Sequence, residues 1–175
     1  MTVTSPYDPE IFVNVAKSVL DSVDKSLFLA SRDSPSRQFV GFARPPQDCC
    51  PDLVAWLGNI RPYDGNGMNS GLREDRLLCH NAWAFDITIR LGRCYIDFDD
   101  DGGPLDGQTI EDFSNELYRD AQVIYVNWVN QWRNGSGVCD GDEFDACDPL
   151  GIGPLIEYKE GGCAGWEFTI TVGVM

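Results

Sequence analysis

The residues that most clearly could take part in chemistry are three aspartates in the segment 97–102, whose sequence is DFDDDG. Acids at its first, third and fifth positions, followed by a glycine, match the start of an EF-hand calcium loop. Carboxylate oxygens of this kind are ligands that Ca²⁺ and Mg²⁺ prefer. The position where the loop needs a bidentate glutamate is Gln108, however, and the preceding element is predicted to be a strand. Asp97, Asp99 and Asp101 are therefore the candidate metal ligands, but we expect an acidic turn there and no bound cofactor.

The cysteines form a second group that could do chemistry, and they stand at positions 49, 50, 79, 94, 139, 147 and 163. Zinc ligands are normally separated by two to four residues, which is a spacing that these cysteines do not show. Cys139 and Cys147 could instead pair with Cys163 or bind a metal. The first thirty residues do not resemble a secretory signal, because Asp8 and Glu10 interrupt any apolar run. We therefore expect a cytosolic chain whose thiols are mostly reduced and lie buried or in loops.

A catalytic reading would depend on His80, because it is the only histidine of the chain. A Ser-His-Asp or Cys-His hydrolase would need this residue as its base. His80 stands just before the best predicted strand, where structural histidines are common. The patterns of nucleophile elbows, P-loops and dinucleotide-binding loops are absent. We therefore expect a protein without enzymatic activity.

The charge balance restricts the partners of the protein. The chain has 175 residues, with 13 Lys+Arg against 28 Asp+Glu, and a formal net charge of -15. An acidic surface repels phosphate, so specific nucleic-acid binding is not expected, although DNA could pass along such a wall without sticking. A hydrophobic content of 43% is enough for one folded domain. No apolar stretch is long enough to cross a membrane, so no membrane partner is expected.

The first elements that must position these residues are one helix and three strands. Apolar spacing predicts the helix from about Pro9 to Lys25, with Asp8 as its N-cap, and a polar loop over 31–38. Strands are predicted at 39–42, 53–60 and 82–91. The second strand is apolar on both faces, so the fold or a neighbouring subunit should cover both. In the third strand apolar and polar residues alternate, so one of its faces should be exposed to solvent. Gly92 after this strand predicts a bulge or bend.

A long helix is predicted from Thr109, as its N-cap, to about Trp132. Its apolar stripe, which should pack on a sheet, consists of Ile110, Phe113, Leu117, Ala121, Ile124 and Trp128. Aromatic residues widen this stripe beyond the need of one face, notably Tyr118, Tyr125, Trp128 and Trp132. Two interpretations follow: a large core with aromatic rims, or a subunit interface, where tryptophan and tyrosine are enriched.

The last third of the chain predicts an acidic loop and a terminal hairpin. Residues 138–154 carry five acids and no basic residue, which is typical of an exposed loop. Segments 155–159 and 166–172 are expected to pair as a hairpin, the second as a core strand close to the end of the chain. Together these elements predict a single α+β domain over 1–175. Its mainly antiparallel, curved sheet is packed by an N-terminal helix and one long helix, with an acidic loop insertion around 138–154.

In this layout the chain resembles the tail terminator family of long-tailed bacteriophages. The resemblance is carried by the opening Asp8-Pro9-Glu10 with its valine-rich stripe, by the strand 83–91 before an acidic turn and a single long helix, and by an ending within the last strand. It extends over the whole chain and involves no short diagnostic motif. It implies an α+β fold and a hexameric ring that caps the tail tube, stops its polymerisation and joins it to the head connector.

The same resemblance implies the partners and the location of the protein. The partners would be further copies of the chain, the tail tube protein and the head–tail connector or stopper protein, with genomic DNA passing through the lumen without specific binding. The location would be the tail or neck of a virion assembled in the cytoplasm of a bacterial host. The alternatives are a head-completion, stopper or other neck protein, and a calcium-binding structural module.

Overall fold

The computed structural model describes residues 10–35, 37–41, 52–62, 83–95, 103–130, 147–160 and 162–174. These residues form two α-helices and six strands, which confirms the α+β class. The elements are α1 (Glu10–Leu29), β1 (Arg37–Gly41), β2 (Asp52–Pro62), β3 (Trp83–Cys94), α2 (Gly107–Gln122), β4 (Cys147–Ile152), β5 (Ile156–Glu160) and β6 (Cys163–Val174). A π-helical segment, Val123–Trp128, continues α2 directly.

The described strands form one open sheet with the order β1-β2-β3-β6-β4, and β5 pairs with β6 beside β4. Only β1 and β2 are parallel, and all other pairs are antiparallel. Strand β6 is bordered by β3 on one side and by β4 and β5 on the other. The predicted terminal hairpin is therefore confirmed, and its second strand is a central strand. That strand begins at Cys163, earlier than predicted, because its pairing with β3 extends to Cys94.

Both helices lie on the same face of the sheet, which we call the helix-covered face. The ring centroids of Phe12 in α1 and Phe85 in β3 are 4.9 Å apart, and those of Trp128 and Phe168 are 5.6 Å apart. The indole nitrogen of Trp166 donates to the carbonyl of Leu117 at 2.7 Å. The buried apolar residues of this layer are Val15, Ala16, Val19, Leu20, Val23, Leu27, Leu53, Ala55, Phe85, Ile87, Ile89, Leu91, Val123, Ile124, Trp128, Val129, Phe168, Ile170 and Val172.

Helix α1 is longer than the sequence pattern predicts. It ends at Leu29 rather than Lys25, because the buried face of the helix continues through Ser26 and Leu27. The predicted cap Asp8 and Pro9 lie outside the described residues. The helix is followed by the irregular residues 31–35, and β1 already begins at Arg37, so the predicted loop is shorter than expected.

Helix α2 begins two residues before its predicted N-cap. Asp106 is the N-cap, and its carboxylate accepts hydrogen bonds from the backbone N–H of Thr109 at 3.0 Å and from its hydroxyl at 2.7 Å. The assignment of Thr109 as the cap is therefore wrong. An aspartate in the preceding turn competes better for this position, because its charged acceptor faces the free N–H groups of the first turn.

The π-helical segment changes which residues of the long helix are buried. The N–H of Val129 donates to the carbonyl of Ile124, five residues earlier. As a result Val123 and Trp128 are buried, and so are Ile124 and Val129, two pairs at a spacing of five. Most of the predicted stripe packs inward, but Ile110 is exposed because it stands in the first turn, beyond the buried part of the helix. Trp132 lies outside the described residues.

The strands confirm the predicted positions, with four corrections. The end of β2 is exposed at Ile60, after a register shift, so only its first half is covered on both faces. The face of β3 that was predicted to be exposed to solvent is largely buried, since Arg90 on that face is 1% exposed. Gly92 lies in regular pairing with β6 and forms no bulge in that ladder. Residues 147–152 form β4 instead of an exposed loop, because β6 pairs with them from Cys147 onward.

Candidate functional site

The residues first considered for metal binding and catalysis lie outside the described part of the chain. This applies to Asp97, Asp99 and Asp101 and to His80. Within the described ranges, no group of three or more His, Cys, Asp or Glu side chains is arranged to hold a metal ion. The calcium-loop interpretation therefore stays a prediction from sequence.

One described cysteine is an exception to the expected reduced thiols. Cys163, at the start of β6, is 4% exposed and disulfide-bonded, so at least this residue is not a reduced thiol. Its position opposite Cys94 in the β3–β6 ladder brings two cysteines to one end of the sheet. Cys94 is exposed, and Cys147 begins β4. The other four cysteines fall in ranges that the structure does not describe.

The surplus apolar residues of the helices are the first candidate site. Phe28 and Leu29 of α1, Tyr118 of α2, and Tyr125 and Val126 of the π-helical segment are 52% to 70% exposed. We call these five residues the outer helical surface. Large apolar side chains exposed on adjoining elements are typical of protein–protein contacts. The interface interpretation of the aromatic surplus thus fits Tyr118 and Tyr125.

Trp128 follows the other interpretation of the aromatic surplus. It is fully buried, and its indole nitrogen donates to the hydroxyl of Ser22 on α1 at 3.0 Å. Sequence reasoning did not single out Phe28 and Leu29, because the helix was expected to end before them. The apolar run 27–30 was the signal that could have found them.

A buried ion-pair network fastens the helical layer to the sheet. Asp120 of α2 is 0% exposed and accepts hydrogen bonds from Arg32, after α1, at 2.8 Å and from Arg93 of β3 at 2.7 and 3.1 Å. Arg32 also forms an ion pair with Glu116 at 2.6 Å, and Arg93 donates to the carbonyl of Asp33 at 2.8 Å. We call this group the Asp120 network.

The Asp120 network raises the pKa of Arg32. Burial disfavours the charged guanidinium, but hydrogen bonds to Asp120 and Glu116, together with their negative charges, raise the pKa of Arg32 above its ordinary value. The arginine therefore stays charged at every relevant pH. Its charged contacts join the end of α1 to α2.

A second polar group lies on the face of the sheet opposite the helices. Tyr158, Gly165, Gly92 and Asp52 stand side by side in register across β5, β6, β3 and β2. A Cβ atom on Gly92 would lie 2.5 Å from the Tyr158 hydroxyl, and one on Gly165 would overlap the carbonyl oxygen of Leu91. The two glycines therefore leave the space through which the tyrosine reaches across two strands toward Asp52.

Arg90 stands beside this row and is almost fully buried. Its Nη2 donates to Oδ2 of Asp52 at 2.8 Å, and its guanidinium carbon lies 5.6 Å from the centroid of the Tyr158 ring, a cation–π distance. Its Nε and Nη1 have no hydrogen-bond partner within the described residues. Glu167 is its register neighbour on β6. We call Arg90 and Asp52 the Arg90 pair.

A groove runs between α1 and the edge strand β1. It encloses about 320 Å³ and is lined by Lys17, Leu20, Asp21, Gln38, Phe39 and Val40. Its walls carry one basic and one acidic side chain on the helix, both exposed. No sequence pattern predicts this groove, because it exists only where a helix and a distant strand lie side by side.

Among the described residues, no helix combines the length and the apolar character needed to cross a membrane. The exposed apolar residues of the outer helical surface are typical of contacts with other proteins. Comparison with known proteins adds no family: no family model matches the chain, and no curated protein is significantly similar to it.

Proposed function

We propose that this protein is a structural subunit of a phage virion, similar to a tail terminator. It forms a ring, expected to be hexameric, at the end of the tail tube. The proposed mechanism is steric: the subunit adds to the last tube ring, blocks further polymerisation and presents a new surface to the head connector. The location in a virion tail or neck is part of this proposal, as is the absence of enzymatic activity.

The observation that carries the proposal is the outer helical surface. A monomer that worked alone would leave Phe28, Leu29, Tyr125 and Val126 in water without benefit. Contacts that bury such residues are a main source of binding energy between proteins. The π-helical segment supports this interpretation, since π-turns inside helices frequently occur at functional sites.

The charge of the chain is compatible with a DNA conduit. A formal net charge of -15 would keep phosphate from binding to a lumen wall, so DNA could pass without being held. The charge also requires that contacts between copies combine apolar burial with paired opposite charges, because like charges repel. The sheet edges and the helical surface together offer both kinds of contact.

The first experiment asks whether the outer helical surface makes contacts in the particle. The double variant Tyr125→Ser/Val126→Ser would be compared with the wild type for binding to purified tails that lack this protein. We expect at least a tenfold weaker association, corresponding to about 1.4 kcal/mol or more. Gln122→Ser is the matched control, because Gln122 is exposed on α2 but contributes little apolar area.

The second experiment tests the role itself. Virions would be analysed for the chain by mass spectrometry and by labelling of the neck in electron micrographs. We expect the chain in every wild-type particle, whereas particles assembled after deletion of its gene should carry overlong tail tubes. Normal tails that fail to join filled heads would favour the head-completion or stopper alternative. Absence of the chain from virions would refute the proposal.

A further inference from the structure

The two ends of the described sheet are complementary in length and direction. The strands β1 (Arg37–Gly41) and β5 (Ile156–Glu160) each have five residues. Strand β1 is parallel to β2, whereas three antiparallel steps lead from β2 through β3 and β6 to β5. Strand β5 therefore runs opposite to β1. If a second copy continues the sheet, its β5 meets β1 as an antiparallel pair, which is the more stable ladder.

The side chains of the two edges also agree in which face they occupy. Val40 pairs with Ala55 of the core, so Val40 points to the helix-covered face. Glu157 pairs with Trp166, whose indole contacts α2, so Glu157 belongs to the same face. Aligning the ends of β5 and β1 places Glu157 opposite Val40 and Lys159 opposite Gln38. The faces of the two sheets then match along the whole contact.

The direction of α1 decides which charges of the groove meet which charges of β5. Phe12 contacts Phe85 near one end of the sheet, and Arg32 shares the carboxylate of Asp120 with Arg93 at the other end. The helix therefore runs antiparallel to β1. Within the groove, Lys17 of α1 therefore lies toward the end of β1, and Asp21 lies toward its start.

This arrangement makes the groove a charge complement of β5. Lys17 lies beside the half of β1 that contains Val40, where Glu157 of the next copy would stand. Asp21 lies beside the half that contains Gln38, opposite Lys159 of the next copy, whose ammonium lies 3.7 Å from the centroid of its own Tyr95 ring. Four helical residues rise about 6 Å, and two strand residues span about 7 Å. The two spacings therefore match, and Glu157 with Lys17 is the pair that carries the contact.

The composition of the edges supports β1 as the receiving strand. Natural edge strands are usually protected from pairing by prolines, bulges or charges. Strand β4, at the other border, contains Pro149 and a register shift before Gly151. Strand β1 contains no proline and one charged residue, Arg37, at its start, and its register with β2 is continuous. Its edge is thus suited to main-chain pairing.

We propose that the β5 edge of one copy pairs with the β1 edge of the next copy, with Glu157 facing Lys17. The contact joins different surfaces of the two copies, so its repetition gives a closed ring when the rotation closes. The partner is a second copy of this chain. The closure into a ring rests on the proposed function; the edge pairing itself does not.

The test exchanges the charges of one pair in the full-length protein. Glu157→Lys and Lys17→Glu each place like charges at the contact, so each variant alone should self-associate at least tenfold more weakly than the wild type. An equimolar mixture of the two variants restores opposite charges at every contact and should recover assembly, with even-numbered rings. Mass photometry over a concentration series would measure the association. Glu10→Lys, an exposed charge reversal at the start of α1, is the control and should assemble as the wild type does.

Recovery on mixing separates the inference from a folding defect, because misfolded variants would not rescue each other. Rings that form equally well from either variant alone would overturn the edge pairing and leave the proposed function intact. Dimers that are lost with Lys17→Glu but kept with Glu157→Lys would overturn it in favour of β1–β1 pairing. A wild type that remains monomeric at every concentration would also overturn it, whereas the search for the chain in virions decides the function separately.

Discussion

The two faces of the sheet hold buried aspartate–arginine groups that differ in how fully their polar atoms are paired. On the helix-covered face, Asp120 accepts three hydrogen bonds from Arg32 and Arg93. On the opposite face, Arg90 has Asp52 as its partner, and two of its nitrogens have no acceptor within the described residues. A satisfied network fixes the elements it joins, whereas a partly satisfied pair contributes little net stability yet is costly to split. Asp120 is therefore the residue that holds the helices on the sheet.

The largest effect is expected from Asp120→Ala. This change leaves the partly buried Arg32 and Arg93 without their shared counter-ion, and breaking such a pair costs about 3–5 kcal/mol of unfolding free energy. Urea denaturation would measure the loss. Glu116→Ala is the control, since the Glu116 side chain is 47% exposed and its removal should cost about 1 kcal/mol or less. Equal losses in the two variants would contradict the central role of Asp120.

The Arg90 pair should behave differently when both of its members are replaced. Asp52→Ala alone leaves the buried guanidinium of Arg90 without its carboxylate and should cost about 3 kcal/mol. The double variant Asp52→Val/Arg90→Met removes both charges and should recover most of that loss, because apolar replacements of a buried pair are often neutral or stabilising. If the double variant is less stable than Asp52→Ala, the pair is better satisfied than its contacts indicate.

Glycine substitutions should show how tightly the row beneath Tyr158 is built. At Gly165 a methyl group would overlap the backbone oxygen of Leu91, whereas at Gly92 it would meet the side chains of Asp52 and Tyr158. We expect Gly165→Ala to cost about 3 kcal/mol and Gly92→Ala about 1–2 kcal/mol, since backbone yields less than side chains. Thermal unfolding would rank them.

The control for the glycine series is Gly107→Ala. A Cβ on Gly107 would meet nothing within 4 Å, and alanine favours the helix that begins there. Its effect should therefore be neutral or slightly stabilising. A Gly165→Ala protein as stable as this control would show that β3 and β6 can separate locally without loss.

The smallest effect concerns the cap of α2 and its pH dependence. Hydrogen bonds from the Thr109 hydroxyl and N–H hold the pKa of Asp106 below its ordinary value of 3.8. A lowered folded pKa gives stability that is present above pH 3.8 and is lost as pH falls through the lower value. Asp106→Asn keeps an acceptor but does not titrate. The difference in Tm between wild type and variant should therefore narrow as the pH falls below about 4. A difference in Tm that stays constant at these pH values would contradict the role of the Asp106 carboxylate.

Local patterns predicted the fold better than they predicted the sites. Periodicity found α1, α2, β2, β3 and the terminal hairpin, because burial on one face imposes a repeat that neighbouring residues display. It failed where the decisive partner is distant. The cap at Asp106 was missed in favour of Thr109, and β4 was assigned to a loop because its pairing depends on β6. The predicted metal ligands lie outside the described residues, so they stay a prediction.

The sequence by itself determined the α+β class, the acidic charge and the apolar stripes, since these follow from residue types and short spacings. Only the tertiary structure decided that Trp128 lies in the core while Tyr125 is exposed, because the π-turn changes which side chains of the helix point toward the sheet. It also decided the burial of Arg90 and the groove beside β1. Those features arise from strands and helices that meet across long stretches of chain, and no local spacing encodes their meeting.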